Sequence, residues 1–185
     1  DIQEISEITY VPLTKAFFSS AAQSKLPSFG HEAANMFGKY LMCALDHDGW
    51  QNSFSIKRYP EKEKKLSELL GVSLDDRIHL VNDKFGSPPN WTTTLGKTIQ
   101  TPPGFKRINM SMIPNFNITD WMGIVEKSRK IDTVATSIVF LFEKINLLCV
   151  PTIHSRNKNP GHAHPAEEDF RLMSKIYSKD YNYER

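Results

Sequence analysis

Cysteine is scarce: Cys43 and Cys149 are the only two in 185 residues, too few for a disulfide framework. Both sit inside apolar patterns, where a free thiol behaves as a small buried hydrophobe, and a reducing, cytoplasmic setting fits that usage. Long hydrophobic runs are absent as well. The most apolar stretch, 138–142, is followed at once by Glu143 and Lys144 and falls far short of the ~18 residues a membrane span needs. No charge of one sign dominates, because 23 Lys and Arg against 21 Asp and Glu leave a net charge of +2. The strong basic stripe of a nucleic-acid module is therefore missing, and nucleic acid is not an expected partner. Where charges do cluster, in Glu61, Lys62, Glu63, Lys64 and Lys65, the signs alternate, as on a solvated helix face. Internal repeats and low-complexity tracts are also lacking.

What is present is enough chain for one domain with a sizeable core, at roughly 100–200 residues per domain. Residues 8–13 form a β-rich run, and 31–45 carry apolar residues at helical spacing, stopped by Asp46, His47, Asp48 and Gly49. Pro60 opens a helix that Gly71 closes, with Leu66, Leu69 and Leu70 as its expected buried stripe. Strands are expected at 78–82, 106–112, 131–134 and 147–153, the last placed at an edge by Pro151. Helices are expected over 120–130, capped by Asn117 or Thr119, over 136–146, and over 166–178. The first of these carries Trp121, Ile124 and Val125 inside and a Glu126–Lys130 pair outside. Strands alternating with helices predict an α/β fold, a Rossmann-like parallel sheet with helices on both faces.

In such a sheet ligands bind outside the carboxyl ends of the strands. Three segments gather there: one with Asn82, Lys84, Phe85, Gly86 and Ser87, a second with Ser111 and Met112, and a third with Thr133, Thr136 and Ser137. The third places hydroxyls and free backbone N–H groups at a helix start, which suits a phosphate and equally suits plain helix capping. Lys84, Lys106 and Arg107 are candidates to neutralise a diphosphate, and Phe85 and Trp91 to stack on a base or to fill the core. Asp46, His47 and Asp48 could do acid–base work, although helix termination explains them as well. His154, His162 and His164 lie near Glu167, Glu168 and Asp169, but the spacing matches no zinc motif, so they read as a polar loop and no metal site is expected.

The stretch 117–147, NITDWMGIVEKSRKIDTVATSIVFLFEKINL, resembles a pattern common in two-lobed, GT-B type glycosyltransferases. There a helix and a short strand precede a Thr-Ser or Ser-Ser pair that opens a second helix ending in a Leu-rich turn. Residues 78–86 resemble the first strand and loop of that family's donor-binding half, and 154–183 its closing helix and aromatic end. Two positions depart from the pattern: Ala135, where an acidic residue is frequent, and Phe140, where a His is frequent. The resemblance implies that Thr136 and Ser137 contact the diphosphate of a nucleotide sugar, the donor substrate, with no cofactor or bound metal. It also implies a first, acceptor-binding lobe. Because the chain opens on Asp1 rather than Met, that lobe is expected to be largely missing, with 1–50 its end and a connecting helix, and 51–185 the nucleotide-sugar-binding domain. Two other readings stay open, a non-catalytic nucleotide- or partner-binding domain of the same fold and a phage-type nucleic-acid-modifying transferase. The near-neutral charge counts against the second.

Overall fold

The computed structural model describes residues 48–85, 93–155, 174 and 177–184. The expected elements at 8–13 and 31–45, and nearly all of the helix expected over 166–178, lie outside them. Helix α1 (Pro60–Leu69) starts on a proline, whose missing N–H would have had no partner in the first turn, and ends before Gly71, whose φ of 63° is a glycine conformation. Leu66 is fully buried, but Leu69 is 62 % exposed. The inward row is instead Glu63, Leu66, Ser67 and Leu70, a spacing of three and four that leaves Leu69 outside it. Glu63 is therefore not part of a solvated face. It accepts from Arg58 Nε (2.8 Å) and a terminal nitrogen (2.5 Å), while the same guanidinium donates twice to Glu126 at 2.8 Å.

Five parallel strands form the sheet: β1 (Ile78–Asn82), β4 (Lys106–Asn109), β5 (Ser128–Val134), β6 (Thr152–His154) and β7 (Asn182–Glu184). A small antiparallel pair, β2 (Lys84–Phe85) and β3 (Thr93–Thr94), projects from the connection after β1. The order across the sheet is β4-β1-β5-β6-β7. Counted in chain order this is 2-1-3-4-5, the doubly wound arrangement whose direction reverses between β1 and β5. The chain is thus an α/β protein with a Rossmann-like, all-parallel sheet.

The boundaries moved for local reasons. The expected helix over 120–130 is a short 3-10 turn (Ile118–Trp121) followed by α2 (Met122–Lys127). Asn117 does cap it, in a reciprocal box with Asp120. Ser128 then turns its hydroxyl back onto the Ile124 carbonyl (2.8 Å) and begins β5 with no loop between. Lys130 is consequently a strand residue, and the expected Glu126–Lys130 pair is replaced by Arg58–Glu126 and Lys130–Asp132. Strand β4 stops at Asn109, leaving Met112 exposed. Helix α3 (Ser137–Phe142) is shorter than 136–146. Strand β6 begins only after Pro151 and lies inside the sheet, not at its edge, because the unforeseen β7 pairs with it.

Alternation divides the sheet into two faces. Ile78, Leu80, Ile108, Ile131 and Ile153 join one core cluster with Leu66 of α1, Met122 and Val125 of α2, and Ile138, Val139 and Phe142 of α3. On the other face Val81 and Val134 pack with Leu95 and Ile99 from the β3–β4 connection. Among the described residues, the helical core side chains belong to the first cluster.

Arg58 joins α1 to α2 through two carboxylates, one of them buried. The hydrogen bonds it donates to Glu63 and then to Glu126 hold its guanidinium still more firmly protonated than usual. Arg58→Ala should lower the unfolding free energy by about 1–3 kcal/mol, because Glu63 loses its partner. Lys should recover little of it, since one ammonium cannot replace the fork. Urea denaturation of both variants measures this.

Candidate functional site

The switch point brings together three of the expected residues. Asn82 ends β1, Thr133 lies near the end of β5, and Thr136 precedes α3; Asn82 Nδ2 donates to Thr133 Oγ1 (3.0 Å) and to Thr136 Oγ1 (3.2 Å). Thr133 in turn donates to the Val134 carbonyl (2.9 Å). Asn82 and Thr133 are buried, whereas Thr136 is half-buried and Ser137 exposed, so the cluster opens toward solvent on the α3 side. Thr136 has the extended backbone of an N-cap, with φ −135° and ψ 179°, yet its side chain makes no capping bond. Its hydroxyl accepts from Asn82 instead. Plain helix capping therefore does not account for this side chain.

The remaining expected residues are arranged around this cluster. Lys84 is exposed on β2, two residues past the end of β1, and Phe85 follows it there. Ser111, half-buried, and Met112, exposed, lie beyond the carboxyl end of β4 on the other flank of β1. Gly86, Ser87 and Trp91 lie outside the described residues. Lys106 and Arg107 stand at the amino end of β4, far along the strand from this edge. Lys106 bonds the Gly71 carbonyl and Asp76, while Arg107 bonds the Ile99 carbonyl and Thr101. They are therefore engaged in holding loops.

A second polar group, on the opposite face of the sheet, was not expected as a unit. Asp132 is almost fully buried, and its carboxylate accepts from His154 Nε2 (2.8 Å), His79 Nε2 (2.7 Å) and Lys130 Nζ (2.5 Å). Burial opposes ionisation of Asp132, but hydrogen bonds from His154, Lys130 and His79 outweigh it and hold the carboxyl well below its usual range. Because an ionised carboxylate only accepts, both imidazoles must present N–H at Nε2. His79 Nδ1 then meets Thr101 Oγ1 at 2.9 Å. Burial depresses the pKa of His79 despite the pull of Asp132. His154 is thus a buried strand residue of β6, not part of a polar loop; His162, His164, Glu167, Glu168 and Asp169 lie outside the described residues, as do Asp46 and His47.

The signal for this row was in the strands themselves. Strands of a buried parallel sheet read as nearly continuous apolar runs. An ionisable residue inside each of IHLV, IDTV and TIH is a departure from that pattern, at His79, Asp132 and His154. Comparison with family models, with curated proteins and with solved structures finds no match for the chain.

The row makes stability sensitive to acid. With its pKa lowered, His79 stays neutral in the folded chain while the unfolded chain takes up a proton near pH 6.5. Stability should therefore fall as pH drops below about 6.5, by at most about 1.4 kcal/mol per pH unit for this one proton. Asp132 contributes stability above its unfolded value near 3.9, lost as pH falls toward its much lower folded value. Urea titrations at stepped pH should show a shallower slope near pH 6 for His79→Gln. An equal slope would remove His79 from the first phase.

Proposed function

We infer that the chain binds the diphosphate of a nucleotide sugar at the carboxyl edge of its sheet, as the donor-binding half of a glycosyltransferase. The observation that carries this reading is the meeting of Asn82, Thr133 and Thr136 at the reversal between β1 and β5, the place where doubly wound sheets hold their ligands. Asn82 spends both amide N–H groups on the two hydroxyls and Thr133 donates to Val134, which leaves the Thr136 O–H, not held by the helix it precedes, as the donor this cluster presents to a phosphate oxygen. The resemblance of 117–147 to the donor-binding half of GT-B enzymes supplies the ligand class. No helix among the described residues is long and apolar enough to cross a membrane.

In this reading the reaction breaks the bond from the sugar's anomeric carbon to the diphosphate and forms one to an acceptor hydroxyl. The diphosphate leaves with its negative charge increased. Donors already aimed at the phosphate oxygens would stabilise the transition state more than the ground state, which is the catalytic contribution open to this half. Lys84, exposed on the arm beyond β1, adds a positive charge on the approach to the site.

A thermal-shift panel of nucleotides and nucleotide sugars tests the reading. A ligand at 100 times its dissociation constant should add roughly 2.7 kcal/mol of stability. The double variant Thr136→Val, Ser137→Val should remain folded, since neither side chain is in the core, and should bind that ligand more weakly by about 10- to 150-fold per lost bond to a charged group. Equal affinity in the variant, or a panel with no stabilising nucleotide, would remove the assignment.

A further inference from the structure

The ring of His154 is held from one side only. Its Nε2 donates to Asp132 at 2.8 Å, and the ring is almost fully buried between β5 and β7. Its other nitrogen, Nδ1, is buried and makes no hydrogen bond of acceptable geometry. Facing it at 3.2 Å is Oε2 of Glu184, the register partner of His154 on β7. A proton on Nδ1 would not reach Oε2 with hydrogen-bond geometry, and where Nδ1 carries none the two electron-rich atoms confront each other with no donor between them. Such an arrangement calls for a cation. The separation is close to what one needs: at metal–ligand bonds of about 2.0–2.2 Å, two donor atoms on a tetrahedral zinc stand roughly 3.3–3.6 Å apart.

The surroundings fit the same reading. Asp132 already receives His79, Lys130 and His154, which leaves it as the carboxylate that orients the ring, not as a further ligand. A carboxylate on the far nitrogen of a ligating histidine is the usual outer support of a metal site, fixing the tautomer and raising the ring's basicity. Lys130 is engaged with Asp132, and Lys97 lies 3.4 Å from the other oxygen of Glu184, Oε1, leaving Oε2 toward the ring. The ligand-capable atoms of Asp132, His154 and Glu184 all lie within 4.8 Å of one another. The Glu184 side chain is 58 % exposed, so an ion can enter from solvent and complete its coordination with water.

We propose that His154 Nδ1 and Glu184 Oε2 bind a divalent transition-metal ion, with Asp132 as the positioning carboxylate behind the ring. Imidazole with carboxylate favours zinc and its neighbours over magnesium or calcium, which prefer oxygen alone. The site lies on the face of the sheet opposite Asn82 and Thr133 and does not depend on nucleotide binding there.

Calorimetric titration of the whole chain with zinc alone, near neutral pH, tests the site. One saturable equivalent is expected. Glu184→Gln changes an exposed side chain and should leave circular dichroism and melting unchanged while weakening that equivalent at least tenfold. Asp132→Asn should weaken it about 10- to 100-fold without removing a ligand. Cobalt in place of zinc should give a visible absorption band that Glu184→Gln abolishes. Absence of saturable zinc binding in the native chain, or binding that Glu184→Gln leaves unchanged, overturns the proposal, because a proton or another part of the chain then supplies the positive charge.

Discussion

The carboxylate of Asp132 is the constraint around which one face of this sheet is organised. An ion of its size costs several kcal/mol to bury, and that cost is offset only when good geometry satisfies its oxygens. Here the donors come from β1 (His79), from β5 itself (Lys130) and from β6 (His154), so the compensation spans three adjacent strands. Loss of any one donor leaves charge uncompensated in the middle of the sheet. Apolar residues of similar volume would hold such a sheet as well or better. Stability therefore gives no reason for this row to exist, and its presence directs attention to what His154 and His79 meet at their other nitrogens.

Those outer contacts depend on packing elsewhere. Strand β7 lies near the end of the chain, and its place opposite β6 is fixed from the helical face. Glu143, just past α3, accepts from the Ser178 backbone and hydroxyl and from the Tyr181 hydroxyl at 2.6 Å. Burial and that bond to Glu143 push the Tyr181 hydroxyl far above its usual pKa, and burial pushes Tyr183 to about 12, so both hydroxyls stay neutral and Tyr181 remains a donor to Glu143. Lys179 reaches back to the carbonyls of Phe142 and Ile145, closing the end of α3 with positive charge where the helix carbonyls are unpaired. Tyr177 and Tyr181 stack edge-on, and Tyr177 meets Phe140 and Trp50. These anchors deliver Glu184 into register with His154.

How much of this was legible in the sequence follows from which forces are local. The parallel sheet was visible because Ile78–Asn82 and the core of β5 are short apolar runs between helical periods. The ends of elements were less so. Ser128 stops α2 through a side-chain bond to Ile124, a choice that a helical period running to Lys130 does not reveal. Strand β7, with the pattern NYE, carries no apolar alternation, and only its tertiary anchors make it a strand. At the site, Asn82, Thr133 and Thr136 were read from their position after strands, which topology preserves. The ionic row was missed because His79 and Asp132 were passed over inside their strands and His154 was weighed alone. His154 as one loop histidine carries little information, whereas one ionisable residue in each of three adjoining buried strands carries a good deal.

The two polar groups are mechanically linked although they occupy opposite faces. On β5 the successive residues Asp132 and Thr133 serve the ionic row and the hydroxyl–amide cluster in turn, while β1 gives His79 to the first and Asn82 to the second. The register of these strands is irregular at its start, where Ile78 and His79 face Ser128 and Lys130 with Arg129 left over. An extra residue there gives the strands a choice of alignment, and a slip of one would turn every following side chain to the wrong face. The His79–Asp132 bond lies just beyond the irregularity and connects the two strands on one face. A slipped register would bury Asp132 without its imidazoles, at the cost of an uncompensated charge. The same bond that anchors the ionic row thus selects the alignment that sets Asn82 beside Thr133, and the cluster on the helical face is held in register by an imidazole–carboxylate hydrogen bond on the other.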